Sequence, residues 1–202
     1  MAVLSLQRKR PARFQGLAGA IAAWRWLLPL SAGLWLGAAA TAGAQSASLE
    51  YAVKANYLYK FTPFVEWPAR AYASPTSPFA ICVAGQDPFG PLLDRAVQGQ
   101  QVDGHPIVVR RLAVAEPGAG CHMLFAGHSS RQSTAQMLSA LAGQPVLTVT
   151  DQAAKGAGGM IQFVLQDGRV RFAIDAKAAA AGGLTISSKL LGLAVSVRTA
   201  LK

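Results

Sequence analysis

Two kinds of apolar pattern alternate along this chain. Leu49, Val53, Tyr57 and Phe61 recur every four residues, flanked by Leu58 and Val65, which predicts one face of a helix ending near Pro63 and Pro68. Short unbroken runs follow, each bounded by turn residues. Phe79 to Val83, Ile107 to Val109, Met123 to Phe125 and Pro145 to Val149 read as buried strands. Met160 to Leu165 and Val170 to Ile174 read as two more, joined by Gln166-Asp167-Gly168-Arg169, in which Asp-Gly signals a hairpin. Between the strands lie helical segments. Asp87-Pro88 has the form of an N-cap followed by proline, opening a helix through Leu92, Leu93 and Val97. Ser129 or Ser130 is placed to cap a helix through Met137, Leu138 and Leu141. Asp175 precedes an alanine-rich helical turn ending at Gly182-Gly183, and Ser187 or Ser188 opens a last helix reaching Val197. Strands and helices alternate, and a hairpin comes late. The expected class is therefore α/β, with a mixed, mostly parallel sheet of about six strands flanked by helices.

The amino-terminal segment follows neither pattern. Arg8, Lys9, Arg10 and Arg13 are followed, after Arg25, by the uncharged run Trp26 to Ala44, which ends in Ala42-Gly43-Ala44. A basic start, an apolar middle and a small-x-small end are the layout of a secretory leader. We expect cleavage after Ala44, giving a signal peptide over 1–44 and one domain over 45–202. An uncleaved amino-terminal anchor is the alternative, since the run is long enough to span a bilayer. Pro29, Gly33 and Gly37 weaken it as a membrane helix.

Charge takes its meaning from this division. The 202 residues carry 19 Lys plus Arg against nine Asp plus Glu, a formal net charge of +10. Five of the basic residues and none of the acids lie in the leader, so about +5 remains on the mature chain. Export also separates the protein from nucleic acid, so no nucleic-acid partner is expected. At 52% hydrophobic and 14% charged, the chain is too apolar for intrinsic disorder. The 20 glycines show no triplet period, which excludes a collagen-like chain. About 158 residues can bury one core unaided. Cys82 and Cys121 are the only cysteines. In an exported chain an even pair reads as one disulfide, with two buried thiols as the alternative.

Candidate chemistry is sparse. Gly127-His128-Ser129-Ser130-Arg131 sits between a strand and a helix like a nucleophile elbow, but Arg131 stands where that turn needs glycine. A hydrolase using Ser129 with His128 or His122 is thus the weakest reading, and a capped helix start accounts for the serines. His105, His122 and His128 show no metal-ligand spacing, so no metal is expected. Gly85 to Gly90 precedes a helix but lacks the lysine of a phosphate loop, and no cofactor is expected. Acidic residues are scattered, without an obvious acid–base couple. Arg110-Arg111 and Arg169 with Arg171 read as solvated strand faces or a partner patch. No catalytic residue is assigned. The ligand-binding alternative puts a cleft at the carboxyl ends of the strands, near Gly85 to Phe89 and Gly127 to Ser130.

Six blocks in series resemble the YfiR-like family of periplasmic proteins. They are Tyr51 to Phe61 with Phe64-Val65-Glu66-Trp67-Pro68, and Ile81-Cys82-Val83-Ala84-Gly85 with Asp87-Pro88-Phe89-Gly90. They continue with Cys121 to Phe125, Pro145 to Asp151, Gly158 to Phe163 through Arg169 to Phe172, and Ile186 to Leu191. The resemblance implies a mixed sheet with flanking helices, often dimeric, and a regulatory protein rather than an enzyme. It also implies an inner-membrane signalling partner, such as a diguanylate cyclase or another sensor, held in check through its periplasmic part. Restraint of that kind lowers cyclic di-GMP and with it biofilm. Cys82 and Cys121 match the family's disulfide, whereas a second cysteine pair of some relatives is missing here. Gln162, Ala173 and Asp175 are mild departures from the family's usual residues. A partner-binding patch is expected at Phe61, Phe64 and Trp67, because aromatics are enriched at binding hot spots. The competing role for these three is to pack the first helix onto the sheet.

Overall fold

Strand pairing follows the apolar runs. The computed structural model describes residues 38–151 and 158–199, with side chains from Gln45 onward. The leader expected over 1–44 falls outside the described residues, apart from 38–44 at the start of the first helix. The chain divides between Thr41 and Ala42, and the unit beginning at Ala42 is the one described here. Its elements run α1 (Ala38–Phe61), β1 (Val65–Glu66), β2 (Phe79–Ala84), α2 (Pro91–Val97), β3 (Gln101–Val102) and β4 (His105–Leu112). They continue with β5 (Met123–Ala126), α3 (Thr134–Ala140), β6 (Leu147–Asp151), β7 (Ile161–Gln166) and β8 (Arg169–Asp175). The last are α4 (Ala176–Ala181), β9 (Thr185–Ile186), α5 (Ser188–Leu191) and β10 (Ser196–Arg198).

The main sheet has the order β10-β8-β7-β6-β5-β2-β4-β3. The pairings β4–β2–β5–β6–β7 are parallel, and β7–β8 is the antiparallel hairpin. All six expected strands are present, extended at the edges by β3 and β10. A separate two-stranded pairing joins β1 to β9, Val65 facing Ile186. Central parallel strands are covered on both faces, which is why β2 reads as six buried residues without alternation. Phe79, Ile81 and Val83 point into the larger core with α1, α2 and α4. Ala80, Cys82 and Ala84 point into a smaller core with Met137 and Leu141 of the α3 side.

Several local expectations are corrected. Helix α1 buries Lys54, Ala55, Leu58 and Phe61, while Leu49 is 68% and Val53 38% exposed. Phe61, Leu58 and Val65 of the expected face are buried and Tyr57 packs against the core, while Leu49 and Val53 at its amino-terminal end face solvent. Lys54 lies on the buried face of the helix, where its ion pair with Asp151 ties α1 to β6 and Glu50, one turn back on α1, shares the ammonium. Asp87 does not cap α2. Its Oδ1 accepts from the Phe89 and Gly90 amides in the preceding turn, and Pro91 begins the helix. Ser129 likewise closes its own turn, accepting from Arg131 and Gln132. The cap of α3 is Ser133, in a reciprocal box with Gln136. The expected last helix stops at Leu191 before Gly192, and Ser196–Arg198 pairs with β8 as a strand. Asp175 and Ser187 do cap α4 and α5.

Candidate functional site

The order of the sheet creates a crevice. From β2 the chain moves to β4 on one side, then returns to β5 on the other side of β2. Loops leaving the carboxyl ends of β2 and β5 therefore diverge, which is the topological switch point where α/β sheets hold ligands. Two glycines bring those loops together. A Cβ on Gly127 would lie 2.2 Å from the Gln86 carbonyl oxygen. Gly85 adopts φ +82°, and a Cβ there would lie 2.6 Å from the His128 carbonyl oxygen. The close approach is held by hydrogen bonds that the Gln86 amide donates to the His128 carbonyl (2.8 Å) and the Gly127 amide to the Ala84 carbonyl (2.8 Å).

Above these loops lies a cleft of about 520 Å³. Phe125, Ala126, Pro88 and Tyr51 supply its apolar surface, while Gln86, Ser129, Ser133, Thr134 and Asp151 supply polar groups. This is the region of Gly85 to Phe89 and Gly127 to Ser130 singled out from the sequence. Its charged side comes from elsewhere. Lys54, only 1% exposed, donates to Glu50 and, at 2.6 Å, to Asp151 Oδ2. The Tyr51 hydroxyl donates to the same oxygen at 3.3 Å. The Lys54 ammonium lies 4.8 Å from the Tyr51 ring centre. Burial alone would push the Lys54 ammonium down, but its bonds to Asp151 and Glu50 outweigh this and hold its pKa above the ordinary value. Burial, and then the Asp151 charge, push the Tyr51 phenol up, so Tyr51 stays protonated.

None of Glu50, Tyr51, Lys54 and Asp151 had a role assigned from sequence. The available signal was a lysine at 54 between Tyr51 and Leu58, on a face that must turn inward. Its partner on the sheet, Asp151, lies 97 residues away.

The structure separates the residues a hydrolase would need. His122 precedes β5 and Ser129 follows it, at opposite ends of that strand. Among the described residues no hydrogen bond joins His128 to Ser129. His122 is a packed residue: its Nδ1 accepts from the Ala80 amide at 3.1 Å, and its ring lies between Phe79 (4.8 Å) and Tyr72 (4.6 Å). Its Nε2 is buried and has no hydrogen-bond partner among the described residues. Burial, then the nearby His105 charge, push its pKa down to about 4. Among the described residues no three His, Cys, Asp or Glu side chains converge on a metal position.

The paired cysteines are joined: Cys82 on β2 and Cys121 just before β5 form a disulfide across Cα atoms 5.8 Å apart. Closing a loop of that separation contributes about 4 kcal/mol in the chain-entropy account. Arg111 is committed rather than free. It bonds Asp87 (2.7 Å), Asp94 (2.6 Å) and the Gly90 carbonyl (2.9 Å), tying β4 to α2 and the turn before it.

The three aromatic candidates are placed differently from one another. Phe61 is in the core, edge-on to Phe172 at 5.0 Å and stacked on Phe163 at 5.9 Å. Phe64 and Trp67 are half-buried. The Trp67 indole donates to the His122 carbonyl at 3.0 Å while its ring meets Phe79 edge-on. A further exposed apolar surface was not foreseen. Leu49, Val53, Tyr57, Leu165 and Val170 line a groove of about 660 Å³, edged by Arg169 and Arg171. Among the described residues no helix is long and apolar enough to cross a membrane.

A family model described as YfiR/HmsC-like matches residues 51–195, from the second half of α1 to the loop before β10. No curated protein matches the chain.

Proposed function

This chain belongs to the YfiR/HmsC-like family, and on that premise we propose that it binds the periplasmic part of an inner-membrane signalling protein and represses it. The family consists of periplasmic regulators of cyclic di-GMP signalling, regulatory rather than catalytic. The finer reading is that the partner is a diguanylate cyclase, whose restraint lowers cyclic di-GMP. The single observation that carries this is the family match over 51–195, which takes in the whole sheet apart from β10. Export by a leader cleaved after Ala44 brings the domain to the compartment where such a partner displays its sensor. The disulfide supports the same reading, because cystines persist outside the cytoplasm.

Docking needs an apolar surface that stays accessible. Phe64 and Trp67, half-buried on the segment after α1, are the contact residues of this reading, with Phe61 anchoring that segment from the core. A homodimer is compatible with it. Crosslinking in the native envelope followed by affinity capture tests the proposal. Recovery of an inner-membrane protein with a periplasmic sensor, reduced by Trp67→Ala, is the expected result. Recovery of the chain alone, or only of cytoplasmic proteins, would overturn it.

A second reading, a sensory protein that binds a small ligand, is favoured by the cleft at the switch point. The two are compatible, since a regulator needs an input.

A further inference from the structure

Among the described residues lining the switch-point cleft, Asp151 is the only acidic one, and neither Lys nor Arg is present. Both hydrogen bonds that Asp151 accepts from described side chains, from Lys54 and Tyr51, end on Oδ2. Oδ1 accepts none from the described residues. Lys54 is shared with Glu50, so among the described residues one cation stands against two carboxylates. The Asp151 side chain is 14% exposed, a setting in which water screens a charge poorly. A carboxylate whose Oδ2 is committed and whose Oδ1 is left unbonded by the described residues, at the edge of an apolar cleft, selects for a donor and against an anion.

The remaining lining describes the body of the ligand. Phe125, Tyr51 and Pro88 present ring and methylene surface, and the hydroxyls of Ser129, Ser133 and Thr134 stand among them. A volume of about 520 Å³ lies within the range of small-molecule sites. Among the described residues no three His, Cys, Asp or Glu side chains group here to hold a metal ion.

We propose that this cleft binds a small organic amine, its ammonium donating to Asp151 Oδ1 and its apolar body lying against Phe125, Tyr51 and Pro88. Lys54 is a positioning residue: it fixes the carboxylate through Oδ2 and leaves Oδ1 to the ligand. The site deepens the sensory reading and is independent of the docking surface, so either can fail without the other.

Calorimetric titration of the mature, disulfide-intact protein tests this with three probes sharing one phenyl body: phenethylamine, phenethyl alcohol and hydrocinnamate. Phenethylamine is expected to bind saturably and about tenfold more tightly than the alcohol, the worth of one charge-assisted bond. Hydrocinnamate should not bind. Asp151→Asn should remove the amine's advantage over the alcohol, and Gln86→Trp, an exposed position at the cleft, should obstruct both. Absence of saturable amine binding, equal binding of hydrocinnamate, or an unchanged amine preference in Asp151→Asn would each overturn the proposal. Should Asp151→Asn lose its native circular dichroism, Gln86→Trp decides: amine binding that survives it overturns the site. The titration needs no protein partner, so its failure is distinct from failure of the docking reading.

Discussion

Replacing Lys54 with methionine keeps the length of the side chain and removes its charge. The ammonium is buried and joined to Glu50 and Asp151, whose side chains are 26% and 14% exposed. Deleting the cation leaves two carboxylates facing each other in a poorly hydrated place. Removing one partner of a buried pair costs about 3–5 kcal/mol. The carboxylates here are partly wet and can draw in water, so the lower part of that range applies, about 3 kcal/mol. For a domain of this size, that lowers the melting temperature by about 6–12 °C. The assay is reversible urea unfolding of the mature domain with the disulfide intact, followed by circular dichroism. A second protein carrying Lys54→Met, Glu50→Gln and Asp151→Asn together should regain most of the loss, because no unpaired charge remains. A loss below about 0.5 kcal/mol in Lys54→Met, the size of an ordinary surface substitution, would refute the claim that this cluster ties α1 to β6. Failure of the triple variant to recover would also refute it, by showing that packing rather than charge sets the cost.

Three other expectations test separate parts of the structure. Changing Cys82 and Cys121 together to serine should lower stability by up to about 4 kcal/mol in urea unfolding, and reductant should add no further loss in that variant. Folding holds the His122 pKa near 4 against 6.5 in the unfolded chain, so only the unfolded state takes up this proton as pH falls between those values. Stability therefore falls with pH across that window by about 3 kcal/mol and levels off below it; urea midpoints against pH should show a shallower slope in His122→Phe. Gly127→Ala should cost about 1–3 kcal/mol, since its methyl meets the Gln86 carbonyl rather than a movable side chain, and a melting temperature equal to wild type would contradict the description of the loop crossing.

How much of this was legible in the chain depends on the range of the interaction involved. The six strands were readable because buried parallel strands form continuous apolar runs, as in Phe79–Ala84. Caps at Asp175 and Ser187 were readable because they act over three residues. Asp87-Pro88 and Ser129 misled for a local reason: both carry cap chemistry, and both spend it on turns just ahead of the helices. The inward turn of Lys54 was hidden, since its partner Asp151 is brought near only by the sheet. The end of α5 shows the same limit. Leu193, Ala194 and Val197 fit a helical period, yet Gly192 closes the helix and β8 offers an open edge for Ser196–Arg198. The cleft was located by the order of strands and loops, while its charge was not, because Tyr51 and Asp151 come from distant segments. Among Phe61, Phe64 and Trp67, spacing could not say which ring turns into the core.

The proposed role of this domain is to restrain a membrane signalling protein from the periplasmic side. The most direct measurement is the level of cyclic di-GMP in cells holding the full chain, no chain, or the chain without residues 1–44. Loss of the gene is expected to raise the level, the full chain to restore it, and the leaderless chain to leave it raised. Unchanged cyclic di-GMP on loss of the gene, or full restoration by the leaderless chain retained in the cytoplasm, would contradict it.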